Sequence, residues 1–178
     1  MAVLIIVAAI ALLCFNVFSK NSNDGMENIT ITYTTTEVSD FVVSKLAAEN
    51  SAKNIAAFID EKSAFPERIH EGYKIGETVF EKLDNGCRMY DDTKKAELGN
   101  LTSIKVGNSD AKLAKDGGWF TVSKPDYSHL ELTSTVRGTR KENGVEIGGE
   151  TYYIGDYIVL RAGIAKIYIQ ITGFDVAD

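Results

Sequence analysis

The strongest hydrophobic pattern is an apolar run at the start of the chain, Met1–Phe18, in which Asn16 is the one polar residue. An α-helix rises about 1.5 Å per residue, so this run would be about 27 Å long, close to the ~30 Å hydrocarbon core of a bilayer. The pattern predicts a transmembrane anchor helix over residues 1–18, in contact with the lipid bilayer, and a polar linker over residues 19–27. A single-pass protein of the cell membrane is therefore expected.

Two other interpretations of this run stay open, a cleaved signal peptide and a lipid-modified Cys14. A signal peptide has a basic start, a shorter apolar core and a small-x-small cleavage site, whereas this run has no basic residue before it and ends in Phe15–Phe18. The two residues before Cys14 are leucines, which do not suit a lipidation site. The following flank has Lys20 against Asp24 and Glu27, and cytoplasmic flanks are usually rich in Lys and Arg. We expect an uncleaved signal-anchor with the C-terminal domain outside the cytoplasm.

Residues 28–178 predict one extracytoplasmic, β-rich domain. Asn28–Glu37 alternates Ile with Thr and continues in strand-favouring residues, which indicates a first strand. Ser39 suits a helix N-cap, and the spacing of apolar residues predicts a helical segment over about 39–61, with a break near residue 50. Beyond Pro66, short apolar strands alternate with turn residues to the end of the chain. The predicted fold class is mainly β (α+β), a small antiparallel β-barrel-like domain with one helical segment.

Two turns predict β-hairpins. Asp84–Gly86 lies between two strand patterns, and its Asn-Gly step tolerates the positive φ angles of a tight hairpin. Asn143-Gly144 predicts a second hairpin, with a register that places Lys141 opposite Glu146 as a favourable cross-strand pair.

An internal similarity supports closure of the sheet. Lys74–Phe80 and Tyr153–Val159 share an Ile-Gly-acid step that leads into an apolar strand. Two similar halves can pair into a closed or half-open barrel, which removes exposed sheet edges. In such a barrel the last strand, Lys166–Thr172, would pair inside the sheet, with its three isoleucines facing the core.

The same features carry a resemblance to a known family. They are the apolar start, the threonine-rich first strand, Lys74–Glu77, the Gly99–Ile104 strand, and Gly148–Gly149 before Tyr152–Gly155. Together they resemble the uncharacterised, single-anchor proteins of Gram-positive and related bacteria known as domain of unknown function 4330. The resemblance covers most of the chain and implies a membrane-anchored domain of the bacterial cell envelope. It implies no particular activity.

The charge of the chain disfavours several classes of partner. The formal net charge is −6, from 19 Lys and Arg against 25 Asp and Glu, and the basic residues are scattered along the sequence. A nucleic-acid-binding domain or a lipid-binding polybasic patch would concentrate them. We expect no nucleic-acid partner.

The motifs of common catalytic and metal sites are missing from the sequence. The two histidines, His70 and His129, have no Cys or His neighbour at ligand spacing, and Asp91-Asp92 lacks the alternating ligands of a calcium loop. Cys14 and Cys87 lie in regions that would be separated by the membrane surface, so no intramolecular disulfide is expected. We predict a protein that is not an enzyme, with no catalytic residues, no cofactor and no metal site.

Aromatic residues beside glycines are the candidate interaction residues. Trp119 and Phe120 follow Gly117-Gly118, and Tyr152 and Tyr153 follow Gly148-Gly149. They could form the rim of a binding surface, and core packing is the alternative.

These features predict a non-catalytic interaction or scaffold domain that binds an envelope protein or glycan, with homo-oligomerisation left open. A second hypothesis is a structural subunit of a pilin-like surface filament, with residues 1–18 in the fibre core. A third is an envelope hydrolase whose carboxylates meet only in the fold.

The anchor is tested by membrane fractionation of cells that produce the full-length chain. We expect the protein to sediment with membranes and to require detergent for release, because residues 1–18 are long enough to span. Recovery of the intact chain in the soluble fraction without detergent would contradict the anchor.

Overall fold

The computed structural model describes residues 25–64, 78–109, 111–115, 117–122 and 124–176. The predicted anchor over residues 1–18 and residues 19–24 of the predicted linker lie outside these residues, so both stay predictions. Among the described residues, no helix is long and apolar enough to cross a membrane.

The described elements follow one another along the chain as β1 (Met26–Ser39), α1 (Asp40–Glu49), α2 (Lys53–Ala64), β2 (Thr78–Lys82), β3 (Arg88–Asp91), β4 (Ala96–Asn108), β5 (Ala111–Lys115), β6 (Gly118–Val122), β7 (Tyr127–Arg140), β8 (Val145–Ile147), β9 (Glu150–Tyr152), β10 (Tyr157–Ala162) and β11 (Ala165–Val176).

Six antiparallel strands close into a barrel in the order β4, β3, β10, β11, β1 and β7, and β7 pairs with β4 to complete the circuit. β2 pairs with β4 beside β3, the hairpin β8–β9 extends from β7, and β5 pairs with β6 in a separate two-stranded sheet. Closure removes the free edges that an open six-stranded sheet would present. The predicted fold class, a mainly β, barrel-like domain with a helical segment, is confirmed.

The barrel interior follows the alternation of the sequence. β11 lies between β10 and β1 and alternates exposed Lys166 and Tyr168 with three buried isoleucines, as predicted. The buried isoleucines are Ile167, Ile169 and Ile171. Because burial of such a side chain contributes about 1.5 to 3 kcal/mol, β11 is a major part of the core.

The predicted helical segment is present as α1 and α2, with the predicted break at residues 50–52. α1 contacts β1, β7 and β11, and α2 contacts β2 and β4, so the helices cover the end of the barrel where β1 ends and β7 begins. Asn50 stabilises the break, because its amide Nδ2 donates to the Leu46 carbonyl and its Oδ1 accepts the Cys87 N–H, both at 2.7 Å.

A carboxylate from the sheet caps the second helix. Glu81 of β2 accepts the Lys53 N–H at 3.1 Å and the N–H groups of Asn54 and Ile55 at 2.9 and 3.2 Å. The first N–H groups of a helix lack partners within the helix, and the N-terminus favours negative charge. Glu81 therefore links α2 to β2.

A buried ion pair joins the two helices to the start of β7. Lys62 Nζ lies 3.0 Å from Asp40 Oδ2 and 3.1 Å from Ser128 Oγ, and it also donates to the Tyr127 carbonyl. Ser128 Oγ donates to Asp40 Oδ1 at 2.6 Å. All three N–H donors of the buried ammonium thus have acceptors, as burial of a charge requires.

The opposite end of the barrel is closed by Tyr152 of β9. Its ring is buried, and its hydroxyl donates to Asp91 Oδ2 at 3.3 Å. Asp91 is itself buried and accepts the Thr93 N–H through Oδ1 at 2.8 Å. Lys94 Nζ lies 4.2 Å from the centre of the Tyr152 ring and donates to the Thr151 carbonyl at 2.7 Å. These contacts hold the β8–β9 hairpin against the turn that follows β3.

The hairpin predicted at Asp84–Gly86 is wrong. β2 and β3 do not pair with each other; they pair one after the other with β4, and Leu83 and Cys87 continue this pairing through the connection. Gly86 approaches β4 so closely that a Cβ there would overlap the carbonyl oxygen of Leu101. The glycine is needed for close backbone approach and not for a tight turn.

The Asn143-Gly144 hairpin is confirmed, but its predicted register is wrong. Glu146 pairs with Thr139, and the Lys141 N–H donates to the Gly144 carbonyl at 2.9 Å. Lys141 Nζ still lies 2.9 Å from Glu146 Oε2, because a long lysine side chain reaches a diagonal neighbour across the strands.

The two Ile-Gly-acid segments do not contribute equivalent halves of the barrel. β10 follows the second segment and belongs to the closed circuit, whereas β2 follows the first and pairs beside that circuit with β4. Residues 74–77 of the first segment lie outside the described residues.

We predict that Lys62→Met lowers the free energy of unfolding by about 3–5 kcal/mol, because it leaves the Asp40 carboxylate buried without its cation. Denaturant unfolding of the full-length chain in mild detergent measures this change. Lys45→Met, at an exposed position of α1, is the matched control and should change stability by less than about 0.5 kcal/mol. Equal stability of the two variants would show that the buried pair is dispensable.

We also predict that stability falls above pH 10 through Tyr152. Burial and the neighbouring Asp91 charge raise the pKa of this phenol above its ordinary value of 10.0. A raised folded-state pKa contributes stability that is complete below the unfolded pKa and is lost as pH rises through the folded pKa. One such group loses at most about 1.4 kcal/mol per pH unit.

Denaturant unfolding between pH 8 and pH 11 tests this, with Tyr152→Phe as the variant and Tyr153→Phe at the exposed neighbouring ring as the control. The decline should be shallower in Tyr152→Phe and unchanged in Tyr153→Phe. Parallel curves for all three proteins would contradict a role for Tyr152.

Candidate binding surface on β3, β10 and β11

Of the four residues predicted as an interaction rim, the structure describes the side chains of Tyr152 and Tyr153. Trp119 and Phe120 lie in β6, where they pair with Ala114 and Leu113, and the orientation of their side chains is outside the described structure. Tyr152 is a core residue, because its ring closes the barrel and its hydroxyl bonds to Asp91. Tyr153 is exposed, as the prediction required.

A cluster of cations lies instead on the outside of the barrel, where β3, β10 and β11 run side by side. Arg161 of β10 pairs in register with Lys166 of β11 on one side and with Tyr90 of β3 on the other. Since side chains opposite one another point to the same face of a sheet, these three form one outward-facing row. Arg161 and Lys166 have side chains that are 52% and 60% exposed.

Asp92 organises the cations. Its carboxylate lies 2.7 Å from Arg161 Nη2, 2.6 Å from Lys166 Nζ and 3.7 Å from Lys95 Nζ. Asp92 itself is held in place, because its N–H donates to the Val159 carbonyl of β10 at 2.8 Å. The hydrogen bond from Lys166, with the charges of Arg161 and Lys95, holds the pKa of the Asp92 carboxyl below its usual value. One ionised carboxylate therefore gathers three cationic groups.

An aromatic pair continues this surface along the hairpin. The rings of Tyr157 and Tyr168 stack with their centres 5.3 Å apart and an angle of 13° between their planes. They are 59% and 66% exposed, among the largest apolar groups that the described residues leave in contact with water. Tyr168 lies two residues after Lys166 on β11, so rings and cations share one outward face. We call these residues, Tyr90, Asp92, Lys95, Tyr157, Arg161, Lys166 and Tyr168, the cation–tyrosine surface.

An open cavity of about 370 Å³ adjoins the cations. It is lined by Tyr90, Asp91, Asp92, Lys95 and Arg161. The arrangement places guanidinium and ammonium donors beside exposed aromatic rings. Such donors bind anions, and such rings pack on the apolar or ring-shaped parts of a ligand. In the described residues, no three or more His, Cys, Asp and Glu side chains lie close enough together to hold a metal ion.

The sequence pattern does not predict this surface, although it does predict the outward position of two of its residues. The alternation of Lys166–Thr172 places Lys166 and Tyr168 on the polar face of the last strand. Asp92 and Arg161 lie 69 residues apart, and only the pairing of β3 with β10 brings them together. No local pattern could indicate that contact.

Comparisons of the chain with models of protein families, with curated proteins and with solved structures give no match.

Proposed function

We propose that this protein is a membrane-anchored, non-catalytic interaction domain of the bacterial cell envelope, and that it binds its partner through the cation–tyrosine surface. The observation that carries the proposal is the combination of exposed, stacked Tyr157 and Tyr168 with Arg161 and Lys166 on one outward face. Large exposed aromatic groups and arginine are enriched where proteins bind partners.

The contacts of the buried polar groups support a structural role for them. Lys62, Ser128 and Asp40 satisfy one another where the helices meet the barrel, and all three are buried. Asp91 and Tyr152 do the same at the opposite end. A catalytic nucleophile or base has to reach substrate, whereas these groups are used to join the barrel to the elements that cover its ends.

The location rests on the sequence. The apolar run Met1–Phe18 and the resemblance to the single-anchor family support an extracytoplasmic domain held close to the membrane. A domain in that position would meet wall polymers and envelope proteins, and a fixed outward-facing surface suits it as an interaction or scaffold module.

The test is co-sedimentation of the full-length chain, kept in mild detergent, with detergent-extracted cell walls of bacteria that produce it. Removal of membranes from the walls prevents binding through residues 1–18. We expect wild-type protein to sediment and Arg161→Gln/Lys166→Gln to stay in solution, with at least about a tenfold loss of affinity, because two charged hydrogen-bonding groups are removed.

Lys105→Gln/Lys141→Gln is the matched control. Both lysines form exposed ion pairs elsewhere on the barrel, with Glu131 and Glu146, so this variant has the same net charge as the test variant. Equal binding by all three proteins would contradict the proposed surface. Filaments containing the chain, seen by electron microscopy of shed surface material, would favour the pilin-like alternative instead.

A further inference from the structure

The chemistry of the cation–tyrosine surface limits the class of ligand that it can bind. The inference about this class rests on the proposed function. Arg161 and Lys166 both contact Asp92, yet a guanidinium has five N–H donors and an ammonium has three. Each therefore has donors beyond those that Asp92 accepts. Lys95, with a side chain 75% exposed, adds a third cation at the edge of the same cavity.

The charges favour an anionic ligand at this face. Three cations surround the Asp92 carboxylate, while Asp91 beneath them is buried and bonded to Tyr152 and Thr93. Glu97 continues the outward row beyond Tyr90, and Arg88 lies 4.0 Å from it as a further cation. The surface thus has an excess of positive charge in a chain whose formal net charge is −6. Asp92 restrains the cations before a ligand arrives, which lowers the entropy lost when their side chains bind.

The tyrosines indicate what the anionic group is attached to. The stacked rings of Tyr157 and Tyr168 stay exposed beside Lys166. Lys166 and Tyr168 are successive outward residues of one strand, which places them about 7 Å apart along it. A sugar ring has an apolar face that can pack on an aromatic ring and hydroxyl groups that stay in water. A chain of sugars with acidic groups would therefore contact both halves of the surface.

Two other classes of ligand fit less well. A long nucleic acid needs a continuous row of basic residues along its phosphates, and the other basic residues of the chain are scattered and outnumbered by acidic ones. A stable protein interface needs about 800 Å² on each partner with an apolar centre, whereas the centre of this surface is the Asp92 ion cluster.

We propose that the cation–tyrosine surface binds a glycan chain that has carboxylate or phosphate groups on its sugars, with Arg161, Lys166 and Lys95 contacting the acidic group and Tyr168 packing on a neighbouring sugar ring.

The test measures binding of purified polysaccharides to the full-length chain in mild detergent, by microscale thermophoresis. Polygalacturonate is the carboxylate probe, phosphomannan is the phosphate probe, and fully methyl-esterified polygalacturonate is a neutral control with the same backbone. We expect at least one acidic polymer to bind, the methyl ester to bind at least tenfold more weakly, and binding to weaken as salt rises from about 0.05 to about 0.5 M.

Variants separate the parts of the surface. Arg161→Gln/Lys166→Gln and Lys95→Gln should weaken binding of the acidic polymer, whereas Lys105→Gln/Lys141→Gln should leave it unchanged. Tyr168→Ala should weaken it as well, and Phe80→Ala, at an exposed aromatic residue of β2, is the control. Circular dichroism of each variant confirms that its fold is retained.

Several results would overturn the proposal. They are absence of binding to both acidic polymers, equal binding of the methyl ester, or an equal loss in the lysine control variant. Tighter binding of oligodeoxythymidylate would assign the surface to nucleic acid instead. If cell walls bind through Arg161 and Lys166 while both acidic polysaccharides do not, the proposed function stands and the ligand class is wrong.

Discussion

Pairing of β7 with β4 is the constraint on which the rest of the structure depends. β7 pairs with β1 on one side and with β4 on the other over Ser128–Thr135, and this second pairing turns an open sheet into a closed barrel. Gly99 permits the approach of the two strands, since its φ is +82° and a Cβ there would overlap the Thr135 carbonyl. Closure creates a single interior for the alternating apolar residues and leaves two ends that must be covered.

Each end is covered by an element that a buried carboxylate holds in place. At one end Asp40, Lys62 and Ser128 fasten the two helices to β7, and at the other Asp91 bonds to Tyr152 and so fastens the β8–β9 hairpin. Buried polar and charged groups are costly unless they have hydrogen-bond partners, so each of these carboxylates favours the element that supplies its donors. Apolar side chains of these elements also join the core, among them Leu46 and Ile55 of the helices and Ile147 of the hairpin, so each end is closed by apolar packing together with a buried polar contact.

The cation–tyrosine surface lies beside one of these closures, on the outer face of β3, β10 and β11. β3 ends at Asp91, which points into the core, and the next residue, Asp92, points outward and contacts Arg161, Lys166 and Lys95. Two adjacent residues thus have two roles: Asp91 bonds to Tyr152 at the end of the barrel, and Asp92 forms ion pairs with the outer cations. The closure at Tyr152 and the position of the outer cations therefore both depend on the path of the chain at these two residues.

The sequence alone determined the class of fold and much of the local structure. Alternation predicted the inward residues of β11, and helical spacing predicted the helical segment with its break, because these signals depend on neighbours within a few residues. Only the tertiary structure decided that Asp84–Gly86 connects two strands which both pair with β4, that Tyr152 is a core residue, and that Asp92 meets Arg161. Those outcomes depend on contacts between residues far apart in the chain, and a turn or an exposed-looking aromatic residue has the same local pattern whichever strand the fold places beside it.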